Sequence, residues 1–452
     1  MISDLSLGRV RPLDSTIRAS VRSLVQGREQ PVPIVSEEER YLSHILDLPL
    51  SLEVYGELKG LARAFGVTKT FRSVIDTFQV PAGETPAGFR IEFVLDADAV
   101  VRADLVRDIS CDRNGQKRAT RVLFSADSAN PYEVAPIAGM LANLTCNPGI
   151  VYDLFINNPK ANVGKKFKTR DEVMLEIGRI VGPGVDISVE LNNPFEESEQ
   201  KILEEAEKFR EMLSPYRVVI KVPHTGPVNA RNVGELLAGD KLFHRRFDAG
   251  TTADMLRGHN LALMLHDHGF RINFTLMFEP YQSAMALQAK PYFINSFVRM
   301  RLLQTAALAQ LVERYRATHD EAYLAKLRTW MVEKDYLAPE EKDLEAGALL
   351  GMADRILRYR QYREGFDGLD GVRHNLNVLR TCNLPDTRLI ICSMEGETMY
   401  PDLDSLLARP ELADMTDRVV ITAEPGYLAR FTSSNQVVSY QRRFMNAAQG
   451  QQ

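Results

Sequence analysis

The chain is poor in cysteine: four occur in 452 residues, Cys111, Cys146, Cys382 and Cys392, and none belongs to a CxxC pair. A disulfide framework and a zinc knuckle are thereby excluded, and a reducing cytoplasm is the expected location. No succession of eighteen uncharged apolar residues occurs, and Met1 to Gly8 has no basic segment followed by an apolar run. Neither a membrane span nor an export signal is therefore expected. Positive charge is not in surplus either: 55 Lys and Arg against 60 Asp and Glu leave −5, which gives no field to hold nucleic acid or an anionic membrane. Internal repeats and low-complexity tracts are also missing. What remains is an average globular composition, 45% hydrophobic and 25% charged, over a length well beyond the ~150 residues of a common single domain. Such a chain can bury a large core without metal or disulfides.

Residues 1 to about 36 are polar and end in Pro31-Val32-Pro33 and Glu37-Glu38-Glu39, which reads as a surface arm entering a helix. Leu42, Leu46, Leu50, Leu58, Leu61 and Phe65 recur at helical spacing, predicting two or three helices up to Phe78. After the breaker Pro81–Pro86, the alternation of Phe89, Ile91, Phe93 and Leu95 predicts a strand, and Val101 to Val106 another. Residues 1–115 thus form an N-terminal appendage of helices and short strands. From 116 to 435 the texture changes to short apolar runs followed by helical stretches, the βα pattern of a parallel sheet. Eight runs can be counted: 122–126, 140–144, 185–189, 218–222, 271–276, 292–294, 388–391 and 419–422. Eight units over about 310 residues suggest a closed (β/α)₈ barrel, although an open doubly wound sheet has the same local pattern. A helical insertion at about 300–380, with Ala306, Leu308, Leu311, Tyr315 and the sole Trp330, serves either as a cover for a barrel mouth or as a subunit contact, and the sequence favours neither. Residues 436–452 read as a polar tail.

In a barrel the chemistry lies at the C-terminal ends of the strands. There the runs meet Asp127, Asn147, Glu190 and Lys221, with Asn273 and Thr275 inside the fifth run. A lysine between Val218-Val219-Ile220 and Val222-Pro223 is placed in a desolvated interior, which lowers its pKa and leaves an amine able to attack a carbonyl. Taken alone, such a lysine more often snorkels to solvent, or clamps a phosphate or forms a salt bridge, just as Asp127 could cap a helix and Glu190 could sit in an interior ion pair.

Several motifs occur in an order that resembles the transaldolases and their fructose-6-phosphate aldolase relatives. Leu144-Thr145-Cys146-Asn147-Pro148 is similar to the family's Thr-Thr-Asn-Pro, Lys221-Val222-Pro223-His224-Thr225 to its Lys-Ile-Pro-x-Thr, and Asn273-Phe274-Thr275-Leu276-Met277-Phe278 to its Asn-x-Thr-Leu-x-Phe. Asn295-Ser296-Phe297-Val298 resembles its Ser-Pro-Phe-Val. The resemblance spans about 120–430 and implies a (β/α)₈ barrel of class I aldolase chemistry without metal or organic cofactor. It implies that Lys221 forms an imine with a ketose donor, that Asp127 moves the proton at the cleaved bond, and that Glu190 and Thr275 hold the catalytic water. Asn147 and Asn273 would bind donor hydroxyls and the carbinolamine oxygen, with Asn295, Phe297, Arg299 and Ser393 completing the substrate contacts. The implied partners are a small ketose donor and an aldehyde acceptor, with a homo-oligomer as a further possibility.

Two departures bear on the substrate. Where the family places a phosphate-binding arginine, an ungapped reading puts Met300, and a one-residue deletion restores Arg299. Its second arginine, in Ser-x-Arg, becomes Glu395 in Ser393-Met394-Glu395, and a phosphate dianion beside that acid would be repelled. Two further readings therefore stand beside a transaldolase: a specialised enzyme for an unphosphorylated substrate, or an inactive barrel serving as a scaffold. His266-Asp267-His268 reads as a helix C-terminus in preference to a metal site, Cys146 as a small core residue, and Gly182-Pro183-Gly184 as a turn. His224 either contacts substrate or packs in its loop.

Overall fold

All eight apolar runs form strands, and the strands close on themselves. In the computed structural model, which describes residues 19–28, 30–360 and 365–450, they are β1 (Leu123–Asp127), β2 (Leu141–Cys146), β3 (Asp186–Glu190), β4 (Arg217–Pro223), β5 (Arg271–Thr275), β6 (Phe293–Phe297), β7 (Arg388–Cys392) and β8 (Val419–Ala423). Each pairs in parallel with the next, and β8 pairs with β1, giving a closed (β/α)₈ barrel and settling the choice against an open sheet. The sixth strand is longer than its apolar run. Asn295 and Phe297 therefore lie within β6, not in the loop after it.

Residues divide into two units, one up to Ala119 with Pro183–Val185, the other Thr120–Gly182 and onward from Asp186. In the first, a three-stranded sheet of Ala64–Val67, Phe89–Leu95 and Val100–Arg107 packs with Leu24, Leu42, Phe71 and Ile75 in one core. Phe65, expected on a helix, sits in a strand because its backbone finds a parallel partner at Val101. The segment before residue 36, expected as a surface arm, instead sends Val21, Leu24, Val25 and Val32 into that core; residues 1–18 of it lie outside the described residues.

In the second unit, the insertion between β6 and β7 contains α1 (Val298–Thr318), α2 (Glu321–Glu333) and α3 (Ala346–Arg360), followed by α4 (Asp370–Thr381). Leu308, Val312, Leu324, Leu327, Met331, Leu349 and Ala353 give the insertion its own core, while Ala306 faces out. It is tied to the barrel's C-terminal end by buried charge. Glu279, just after β5, accepts from Arg301 of α1 and Arg360 of α3, and Arg301 Nε also donates to Asp370 at 2.7 Å. Arg301 is thus fully engaged. Removing one member of such a network strands its partner, so Asp370→Ala should cost about 3–5 kcal/mol in urea unfolding. A loss below about 1 kcal/mol, the level of an exposed pair, would show that the network holds nothing.

The segment read as a polar tail forms a helix, α5 (Asn435–Ala448), with Val437, Val438, Tyr440, Phe444 and Met445 all exposed. Among the described residues, no helix is long and apolar enough to cross a membrane.

Candidate active site

Strand register decides which side chains meet inside the barrel, because parallel partners project to the same face and alternate along each strand. Glu190 lies opposite Lys221, Lys221 opposite Asn273, and Asp127 opposite Thr145. A chain of hydrogen bonds confirms that this face is the interior. Thr275 Oγ1 donates to Asn295 Oδ1 (3.4 Å), Asn295 Nδ2 to Asn273 Oδ1 (2.6 Å), Asn273 Nδ2 to Ser188 Oγ (3.2 Å), Ser188 Oγ to Asn143 Oδ1 (3.1 Å), and Asn143 Nδ2 to Ser125 Oγ (2.8 Å). The step from β5 to β3 passes over β4, which only groups inside the barrel can do. All six residues are buried.

Lys221, opposite Asn273 of this chain, has its Nζ 3.2 Å from Glu190 Oε2, both side chains being largely enclosed. The expected depression of its pKa does not occur. Burial does pull the ammonium down, but the nearby Glu190 and Asp127 carboxylates outweigh it and raise Lys221 above its ordinary value. The resting lysine is therefore a charged member of an ion pair. Asp127 moves the other way: burial, opposed by Lys221 and reinforced by Glu424 and Glu190, pushes it up to about 6. Its Oδ1 is buried and makes no hydrogen bond, as are Thr145 Oγ1 beside it and Thr422 Oγ1 on β8. Three neighbouring strands thus present unused polar atoms to the interior, capacity that substrate hydroxyls or water would satisfy.

The remaining expected residues are distributed less evenly. Asn147 follows β2 and its Oδ1 accepts from Ile150 N at 2.9 Å, capping the next helical turn. Asn295 spends both amide hydrogens, on Asn273 and on Phe274 O, so it braces Asn273 and Thr275 within the layer. Phe297 packs its ring 4.7 Å from Phe278 at the mouth. Ser393 follows β7 with φ 59°, as Leu276 follows β5 with φ 57°, two left-handed non-glycine residues of the strained kind that collects at functional sites. The Ser393 carbonyl accepts from Arg299 N at 3.1 Å, and the Arg299 guanidinium lies 2.8 Å from Glu395 Oε2. The two positions flagged for phosphate therefore hold an ion pair whose charges cancel. Met300 is not the residue that meets Glu395.

Sequence reasoning did not find several contributors. Arg170 donates to Glu190 O at 3.2 Å and pairs with Glu205, holding the end of β3. Gly258 leaves room for the β4 end, since a Cβ there would overlap the Pro223 carbonyl oxygen. Cys392 faces the interior near Asn295, its thiol raised by burial and by Asp127. Cys146 is core, 3.5 Å from Met174 Sδ and pushed up to about 12 by burial. His224 packs 4.5 Å from the Phe274 ring and burial pulls it down to about 4, so it is neutral. With Phe243, Phe247, Phe278, Tyr281 and Tyr336 it lines a cleft of about 420 Å³ beside the mouth, which places the insertion there. His268 Nδ1 lies 2.8 Å from Met264 O at its helix end, and among the described residues no three His, Cys, Asp or Glu are grouped as metal ligands.

Compared with known protein families, residues 124–334 match the one described as Transaldolase/Fructose-6-phosphate aldolase. The match covers β1 to β6 and ends within the insertion, before Ser393 and Glu395. No curated protein matches the chain.

Proposed function

We propose, from the match of residues 124–334 to the transaldolase/fructose-6-phosphate aldolase family, that the chain cleaves or transfers a dihydroxyacetone-type three-carbon unit through an imine on Lys221. The observation that carries this reading is the largely enclosed Lys221–Glu190 pair, at 3.2 Å, near an Asp127 with an unused oxygen. Proton transfer within the pair frees the amine without changing its total charge. The amine then attacks the ketose carbonyl, and loss of water gives an iminium that accepts the electrons of the broken carbon–carbon bond. Asp127 takes the proton from the hydroxyl on the departing carbon, a task suited to a carboxyl near 6 that is mostly ionised at neutral pH. Glu190, with Thr275, handles the water lost and regained. The acceptor aldehyde re-forms the bond, and hydrolysis releases the product.

The Arg299–Glu395 pair favours a donor without a phosphate. An inactive scaffold is disfavoured by the set of interior polar groups, which a pure binding module does not require. The test is reductive trapping: with dihydroxyacetone and borohydride, the chain should gain one reduced adduct on Lys221, located by peptide mass. Absence of any adduct across a ketose panel would favour the scaffold.

A further inference from the structure

At the barrel's other end, the strand starts bring Asp186, Arg217, Arg271 and Arg388 around the half-buried Tyr292. Three of these four have their charge or donors satisfied. Arg217 Nε is 2.8 Å from Asp186 Oδ1 with both side chains fully buried, while Arg388 donates to the Asp417 and Asp386 carbonyls. Arg271 differs. Its Nε and Nη1 are closed to solvent and make no hydrogen bond among the described residues, and no carboxylate is paired with it. Burial draws it down to about 10, far for a group that is ordinarily always charged. A guanidinium in that state costs free energy that a leucine or methionine would not, because each buried unmade donor forfeits its hydration.

The same guanidinium lines a cavity of about 410 Å³ walled by Phe270, Tyr292 and Pro385, with Lys290 and the half-buried His266 at its edge. Asp386 also borders it, but is exposed and does not figure among the charges acting on Arg271. We propose that this cavity is a binding site for an organic oxyanion, a carboxylate or phosphate monoester carried on a ring or apolar body, with Arg271 as its anchor. A guanidinium has edges at which paired N–H donors match two oxygens of such a group in a fork geometry. The volume exceeds what an inorganic ion fills, and the ring and proline walls supply apolar contact for a body. The site opens at the end opposite the one where Lys221 lies, and it does not depend on the proposed reaction.

The test uses the full chain and three probes, benzoate, phenyl phosphate and inorganic phosphate, with benzyl alcohol as the uncharged control, read by calorimetry and by thermal midpoint. Benzoate or phenyl phosphate should bind and raise the midpoint, and benzyl alcohol should not; which of the two binds tighter identifies the oxyanion. Arg271→Met should weaken binding by roughly tenfold or more, given charge-assisted bonds of this kind, yet without ligand it should be at least as stable as the parent. Arg271→Lys, which keeps the charge but not the fork, should fold and also bind more weakly. Arg299→Gln should bind as the parent does. The proposal is overturned if no anion binds, if both Arg271 variants bind as the parent does, or if Arg299→Gln abolishes binding.

Discussion

Lys221→Ala should lower kcat by roughly four orders of magnitude or more, the scale seen when a covalent nucleophile is removed, and should leave no borohydride adduct. Asp127→Asn should separate the steps: the adduct still forms, because Lys221 keeps its contact with Glu190, while cleavage falls by about two to four orders of magnitude. The pH dependence gives the sign. Asp127 must be ionised to take a proton, so in the parent kcat/KM should fall as pH drops through about 6, and Asp127→Asn should lose that limb. Stability runs the opposite way for the same group. Its carboxyl is raised on folding, so its ionisation opposes the folded state, and this contribution weakens stability as pH rises from its ordinary value near 3.8 to about 6. Equal loss of adduct in a folded Asp127→Asn would contradict the division of roles.

Glu395→Arg should shift the ratio of kcat/KM for fructose 6-phosphate over fructose upward by roughly two orders of magnitude, the worth of about one to two charge-assisted bonds to phosphate. The parent should show little preference. The reasoning is a charge count: Arg299 and Glu395 sum to zero at a mouth where two arginines would sum to +2, and the substitution also frees the Arg299 guanidinium. Arg301 cannot stand in, since Asp370 and Glu279 already occupy it. Assaying phosphorylated and free ketoses side by side decides the matter, and a strong preference of the parent for the phosphate would sink it.

The barrel was legible in the sequence because its strands, buried on both faces, keep their apolar runs whatever the loops do. Asp127, Glu190 and Lys221 stood out because each is charged at the end of such a run, where a charge is costly. Ser125, Asn143 and Ser188 did not: they are short, neutral and alternate with apolar neighbours, as solvent-facing strand positions also do. The ionic state of Lys221 was out of reach for a different reason. Burial could be inferred along one strand, but the opposing carboxylates come from β1 and β3, and their sum depends on closure. Likewise, Phe65 reads as helical by spacing and becomes a strand only through a partner 36 positions later.

The interior hydrogen-bond chain runs in one direction, every donor pointing from the β5–β6 side toward β1. Its members are consequently not independent letters. If Asn273 became aspartate, the new oxygen would draw the Ser188 proton to itself, and Asn143 Oδ1 would lose its donor three strands away. An orphaned acceptor of that kind costs about 1–3 kcal/mol. A single substitution therefore carries a cost along this layer even at positions far from Lys221, and a matched second replacement would remove it.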